Sequence, residues 1–392
     1  MFKQWLAVSL MSLQTLSQRV GASSVIVIGI AGVVSVLVSV LAMATGFRHT
    51  VADTGRPDRI IVLRGGSDAE LNSNLTRGDV DVISDAPGLA KDAQGKAVLS
   101  SELVTVVNVP KIDTGLDSNV TLRGVGLQLQ NVRPELKIVE GRMFHPAVRE
   151  LIAGAGASKQ FRGLTLGSVL HLRNADWTVA GIFTENGDVH ESELLADVET
   201  VGSSLQRTGY SSAVGLLTSP GDFDRFKDSL TTDPRLKVDV EREPEYYAAQ
   251  SRALTQLINI VGNTVAIIMA IGAMFGALNS MYAAVDARSL EIATLRAIGF
   301  GAFPVLLSVM TEALVLSLLG GIIGAALAWW FFNGHTVNTL GGAFAQIVFQ
   351  VTVTRTLIVT GLVWACTIGL LGGLFPALRS ARLSVAAALR AA

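Results

Sequence analysis

One cysteine, Cys366, stands in 392 residues, so neither an intrachain disulfide nor a C-x-x-C metal or redox site is available. Charge is scarce as well: 31 basic and 32 acidic residues leave a net charge of −1, without the clustered cationic excess that nucleic acid requires. His49, His145, His171 and His190 are scattered, with no H-E-x-x-H and no H-x-H, and no G-x-S-x-G elbow accompanies them. The Gly187-Asp188-Val189-His190-Glu191 stretch sets one histidine among carboxylates without the ligand spacing of a defined metal site, and reads as a solvated loop with a structural histidine. Gly154-Ala155-Gly156 and the 163–167 stretch lack the Gly-Lys-Ser or Gly-Lys-Thr ending of a phosphate loop, which occurs nowhere in the chain. These residues therefore cannot bind ATP through a Walker A loop. No constellation for hydrolysis, redox or metal chemistry is present.

What the chain has in abundance is apolar sequence: half of it is hydrophobic, 39 residues are glycine, and the mean hydropathy is +0.47. A membrane helix needs about 20 apolar residues to cross about 30 Å of hydrocarbon. Four stretches with few or no charges meet that requirement, giving spans at 22–47, 255–286, 303–332 and 356–378. The second lies in a 33-residue gap between Arg252 and Asp286, about 50 Å of helix at 1.5 Å per residue, which predicts a stalk projecting beyond the bilayer. Pro304 suits the first turn of the third span, and Trp329 and Trp330 suit its interfacial end. Gly320, Gly321 and Gly324, with Gly372 and Gly373 in the fourth span, read as small-residue faces for close helix packing, and Cys366 as a small hydrophobe. A cleaved signal peptide ending near Ala42-Met43-Ala44 is the alternative for the first span, but the apolar run is longer than a signal's. Residues 1–21 carry Phe2, Leu6, Leu10, Leu13, Leu16 and Val20 at spacings of three and four, the pattern of an amphipathic helix on the cytoplasmic interface.

Lys3, Arg19, Arg288, Arg296, Arg379, Arg382 and Arg390 flank the spans on one side, against Arg355 alone in the 333–355 connection. The excess of basic residues predicts cytoplasmic termini. Residues 48–254 then lie outside. They hold 23 of the 31 basic and 29 of the 32 acidic residues, a net of −6 that is ordinary for a folded water-soluble domain. Runs at 59–66, 101–110, 119–126, 168–183 and 213–218 read as strands, with a hairpin turn at Asn174-Ala175-Asp176. Helices are expected at 76–85, 155–161 and 221–230, and from 243 continuously into the second span. The predicted class is a membrane protein with four transmembrane α-helices and a large α+β extracytoplasmic domain, in two lobes, inserted between the first and second.

The stretch Arg288-Ser-Leu-Glu-Ile-Ala-Thr-Leu-Arg-Ala-Ile-Gly-Phe-Gly301, together with Gly-Gly-Ile-Ile-Gly at 320–324, resembles the R-x-x-E-I-[GA]-x-x-[RK]-A-[IL]-G block of the FtsX/MacB-like permeases of ABC transporters, the type VII fold. The 372–391 ending is similar to that family's G-x-x-P-A-x-x-A-A-x-x-x-P-x-x-A-L-R, with Ser380 in place of an alanine and Val385 in place of a proline. Gly141-Arg-Met-Phe144 and the glycine-rich segment after it resemble the MacB-type periplasmic core. Taken alone, 287–302 reads equally as a short docking element or as a juxtamembrane helix that stops transfer.

The resemblance makes that element a coupling helix gripped by an ATPase subunit, with Arg288, Glu291, Ile292, Leu295, Arg296 and Gly299 as its coupling residues. It implies a non-catalytic subunit of the bacterial inner membrane, with ATP and Mg on the partner ATPase and no cofactor on this chain. The implied partners are a second permease chain, identical or related, and a periplasmic adaptor. The implied work is mechanotransmission that exports or extracts a drug, lipid or lipoprotein; activation of a cell-wall hydrolase, as FtsX does, is the alternative. Residues 379–392 form the cytoplasmic tail. Glu312, the single acid inside a span, about 13 Å deep at helical rise, is expected to serve packing or conformation before proton or substrate handling.

Overall fold

A computed structural model describes residues 2–14, 20–52, 54–172, 175–340 and 346–382. The chain divides into a helical unit (1–45, 257–335 and 351–392) and an α+β unit (46–256 and 336–350).

Among the described residues, four helices are long and apolar enough to cross a membrane: 23–51, 256–287, 302–332 and 355–382. They belong to α2 (Val20–Ala52), α8 (Glu243–Ala287), α10 (Ala302–Phe332) and α11 (Arg355–Arg382). Glycines set how closely these helices approach one another. A Cβ on Gly320 would stand 2.8 Å from the Val27 carbonyl oxygen, and one on Gly324 would collide with the Ala31 carbonyl, so α2 lies backbone-close along α10. On the other side of α10, a Cβ on Gly321 would stand 2.8 Å from the Ala365 Cβ, and one on Gly373 of α11 2.6 Å from the Ala313 Cβ. Small residues are what admit such contact in lipid, where apolar side chains gain nothing by leaving the acyl chains. Trp329 and Trp330, at the far end of α10, are exposed.

Helix α1 (Phe2–Gln14) buries Val8 and donates a Trp5 Nε1 hydrogen bond to Thr311 Oγ1 of α10 at 3.2 Å, while Leu6, Leu10 and Met11 remain uncovered by protein. The expected apolar stripe is thus split between a protein contact and an outward face. Its continuation through Leu16 and Arg19 falls outside the described residues, as does the tail from 383 onward, Arg390 included.

The α+β unit is built on one path of hydrogen-bonded strands. They are β1 (Arg59–Arg64), β2 (Leu99–Pro110), β3 (Asp117–Val125), β4 (Lys137–Gly141), β5 (Glu150–Gly154), β6 (Val169–Leu172), β7 (Ala175–Thr184), β8 (Leu194–Asp197), β9 (Ser212–Leu216) and β10 (Val238–Arg242). The spatial order is β10-β1-β9-β2-β3-β8-β5-β7-β4, with β6 also on β7; β3/β8 and β5/β7 are parallel and the other pairs antiparallel. Among the described residues three apolar cores line this path, one around Leu122, Leu151, Trp177 and Leu194, one around Ile60, Val62, Ile83 and Phe226, and a smaller one around Leu129, Ile152 and Phe183. Short helices cover them. α3 (Arg77–Ser84) opens with a Thr76/Asp79 capping box, and α4 (Leu129–Val132), α5 (Ala155–Gln160), α6 (Val198–Leu205) and α7 (Phe223–Thr231) follow.

Expectation and structure part in several places. Strands β4, β5, β8 and β10 and helix α6 were not predicted. β5 (Glu-Leu-Ile-Ala-Gly) and β8 (Leu-Leu-Ala-Asp) are short and buried on both faces, so neither shows the two-residue alternation that marks a half-buried strand. β6 and β7 do pair as a hairpin, Val169 opposite Thr178, but residues 173 and 174 of the predicted turn fall outside the described residues. The expected short loop at 333–355 instead carries a second hairpin, β11 (Thr336–Leu340) with β12 (Gln346–Gln350), grouped with the α+β unit. The expected 287–302 element is a nine-residue helix, α9 (Ser289–Ala297).

Candidate functional site

Helix α9 follows α8 after a single break. Arg288 occupies its N-terminal boundary, and Gly299, at φ +103, ends it: the Phe300 amide turns back to the Leu295 carbonyl at 3.0 Å. That left-handed residue after the helix is why glycine stands there. Arg288 points inward. Its Nη1 lies 3.2 Å from Glu312 Oε2 of α10 and its Nε lies 3.1 Å from Glu291 Oε2. Glu312, 6% exposed, is therefore ion-paired to the segment that begins α9. Ile292 is buried, and it lines a cleft with Leu295, Val285 and Val309. Arg296 Nη1 donates to the Ala381 carbonyl at 3.0 Å, near the C-terminal end of α11, where carbonyls lack helical partners. Of the expected coupling residues, Arg288, Ile292, Leu295 and Arg296 thus face the helical unit itself, and Glu291 faces solvent. The remaining outward surface of α9 includes Leu290, Thr294, Ala297 and, just past its end, Ile298.

A second concentration of chemistry lies inside the α+β unit. Arg123 is enclosed by Glu70 (2.7 Å), Glu102 (2.7 Å) and Glu193 (2.6 Å). Arg133 holds Glu243 (2.7 Å) and Glu185 (3.1 Å), while Arg59 holds Glu243 (2.9 Å) and Glu135. Three guanidinium groups thus face seven carboxylates once Asp188, beside His190, is included. Burial separates the acids by partner. Glu70 and Glu243 lie against arginines whose charge outweighs desolvation and keeps both below the usual carboxylate range. Desolvation pushes Glu185 up to about 8 and Asp188 well above its ordinary value, and burial together with Arg133 lowers His190 to about 3, so its ring is neutral. The network clasps the head of α8: Glu243 is its first residue, the Tyr246 hydroxyl accepts the Glu70 amide at 3.0 Å, and the Tyr247 hydroxyl lies 3.0 Å from His190 Nε2.

The expectation of a solvated loop at 187–191 is overturned here, because His190 is 1% and Asp188 6% exposed. Arg59, Arg123, Arg133 and Glu243 carried no signal at the level of sequence. They are up to 184 positions apart and only the strand order gathers them.

The comparisons with known proteins agree with this architecture. Residues 23–233 match the MacB-like periplasmic core domain and residues 263–385 the FtsX-like permease C-terminal domain. The chain belongs to the MacB-like, FtsX-like family of ABC transporter permeases. Among its relatives, the macrolide export ATP-binding/permease protein MacB of Bdellovibrio bacteriovorus is 23% identical over 96% of this chain and 60% of its own length. The protein of the same name from Hahella chejuensis is 26% identical over 98% and 59%, and the pyoverdine export ATP-binding/permease protein PvdT of Pseudomonas syringae 27% over 57% and 34%. The chain thus spans about 60% of the length of the first two. A solved periplasmic region of MacB from Actinobacillus actinomycetemcomitans covers 50% of this chain and 93% of its own, at 13% identity and a TM-score of 0.37.

Proposed function

We propose that this chain is the force-transmitting permease of an ABC exporter of the bacterial inner membrane, with both termini cytoplasmic and the α+β unit periplasmic. It works as a dimer with an identical or related chain. ATP and Mg are bound by an ATP-binding domain outside these 392 residues, as the relatives' joint names and greater length suggest. Closure of that domain moves α9, and α8 carries the movement outward. The observation that supports this most directly is the two-faced character of α9: Arg288, Ile292 and Arg296 tie it to α10 and α11, while Leu290 and Ile298 are left exposed, 46% and 69%, at its outer side. An element that must push needs a fixed inner face and a free docking face. The docking residues are then Leu290, Glu291, Thr294 and Ile298, with Arg288, Leu295, Arg296 and Gly299 holding the element in place.

The cargo is proposed to be a small molecule of the kind that the relatives' names specify, a macrolide or pyoverdine, with a periplasmic adaptor continuing the route. The test is co-purification from native membranes. L290E/I298E is expected to insert and fold as the wild type does and to lose its ATPase. Retention of the ATPase by that variant would refute the docking face, and its absence from wild-type preparations would refute the reading as a whole.

A further inference from the structure

We propose that Glu185, Asp188 and His190 form a binding site for a first-row divalent metal ion of the zinc class, independently of the transport reading. The three residues come from one six-residue turn, Glu-x-x-Asp-x-His, tightened by positive φ at Asn186 (53°) and Gly187 (78°). Glu191 Oε1 accepts the amides of Glu185 and Gly187, both at 2.8 Å, which holds the turn closed. Asp188 Oδ2 lies 3.0 Å and Glu185 Oε2 3.8 Å from His190 Nδ1, and all three ligand atoms lie within 4.8 Å of one another. A tetrahedral zinc ion with bonds near 2.0–2.1 Å requires its ligand atoms about 3.3–3.4 Å apart, so sub-ångström to ångström adjustments close the site.

Each ligand's other polar atom is already engaged. Tyr247 hydroxyl meets His190 Nε2 at 3.0 Å, the His190 amide donates to Asp188 Oδ1 at 3.0 Å, and Arg133 donates to Glu185 Oε1 at 3.1 Å. With Nε2 donating to Tyr247, the imidazole lone pair sits on Nδ1, toward the carboxylates. Outer partners of this kind are what orient metal ligands. Glu185 Oε2 itself is fully buried and has no hydrogen-bond partner among the described residues, which makes it the one acid of the group aimed at nothing the chain supplies.

Charge supports a cation. Arg59 and Arg133 face four carboxyl groups, Glu135, Glu243, Glu185 and Asp188, two more than their charges balance, and a divalent ion supplies the difference. A recess of about 250 Å³ lined by Gly55, Arg56, Glu135 and Asn186 reaches Glu185 and Asp188 and provides the way in. One nitrogen with two carboxylate oxygens favours zinc over calcium or magnesium, which take oxygen alone. A metal on His190 Nδ1 replaces only the 3.2 Å approach of Arg133 Nη1 to that ring nitrogen; Nη1 keeps Glu185 Oε1 at 3.1 Å and Nη2 keeps Glu243 at 2.7 Å.

The full chain, purified in detergent and stripped with a chelator, is titrated with buffered Zn²⁺, and bound metal is counted by mass spectrometry. Wild type is expected to retain one zinc per chain and to melt at a higher temperature when it does. E185Q/D188N is expected to bind at least tenfold more weakly, and Y247F, which leaves every ligand in place, about tenfold more weakly. Zinc bound equally by wild type and E185Q/D188N would place the ion elsewhere and overturn the proposal, as would a folded wild type that retains none. Should E185Q/D188N not fold, Co²⁺ on the wild type decides: ligand-field bands of a four-coordinate ion, weakened in Y247F, are expected, and their absence refutes the site.

Discussion

Removing one partner of the Arg288–Glu312 pair separates an anchored coupling element from an incidental contact. At 3.2 Å and an effective dielectric of about 20, the direct attraction is about 5 kcal/mol, much of it offset by the desolvation of both ions. The sizeable quantity is the cost of removing one ion from the pair while the other stays buried. In R288M, Glu312 keeps its buried place without this cation, and a loss of roughly 3 kcal/mol is expected. In E312M, Arg288 retains Glu291, 3.1 Å away but exposed, so the loss is expected to be smaller, roughly 2 kcal/mol. R288M/E312M removes both charges and is expected within about 1 kcal/mol of wild type, because a well-packed apolar pair replaces a buried ionic one at little cost. The assay is the thermal midpoint of the purified chain in detergent, where roughly 2–4 °C accompanies each kcal/mol. R288M should therefore drop by about 6–12 °C and the double variant by no more than about 4 °C. Additive losses, with the double variant worse than either single one, would refute the pairing as what holds α9 to α10.

I292A empties a buried position of α9 and is expected to cost about 2–4 kcal/mol, whereas L290A, on the outer face, leaves the midpoint unchanged and weakens ATPase recovery. G299A forces a side chain into φ +103 and is expected to lower the midpoint by a few degrees, since the left-handed region costs about 1–2 kcal/mol. G324L drives a side chain into the Ala31 carbonyl and should separate α2 from α10, read as lost protection of both helices from protease. For Glu185 the sign follows from its raised value. The folded state keeps a proton up to about pH 8 that the unfolded state releases near 4.5, so stability is complete below that lower value and falls as pH rises between the two. In chelator, E185Q should flatten the fall by up to about 1.4 kcal/mol per pH unit, and an unchanged profile would contradict the assignment.

The spans were legible because lipid imposes a length and a composition that no buried core demands: four long, charge-poor stretches became the membrane-length parts of α2, α8, α10 and α11 within a few residues. Gly320, Gly324 and Gly373 declared close packing because a chain seldom places so many glycines in helices without a neighbour to admit. Glu312 advertised itself as costly, yet nothing in its neighbourhood of sequence named Arg288, which precedes it by 24 positions and reaches it only through the turn at the start of α9. The ionic network was invisible for the same reason on a larger scale. Arg59 and Arg133 look like ordinary surface arginines until β1, α4 and α8 bring them to one place, and burial, not motif, gives them their significance.

The β11–β12 hairpin changes what counts as the α+β unit. The chain passes between the two units four times, near residues 45, 256, 335 and 350, so severing any single crossing leaves the α+β unit tethered by the others. A recombinant fragment ending at 256 would be two strands short and would bare Phe47, whose ring meets Phe349 edge-on with centroids 5.5 Å apart. Complementation of such a fragment by a peptide spanning 336–350 would then be a natural way to restore it, and the hairpin a natural place to lock the two pieces together with a disulfide in a protein whose single cysteine leaves the chemistry unambiguous.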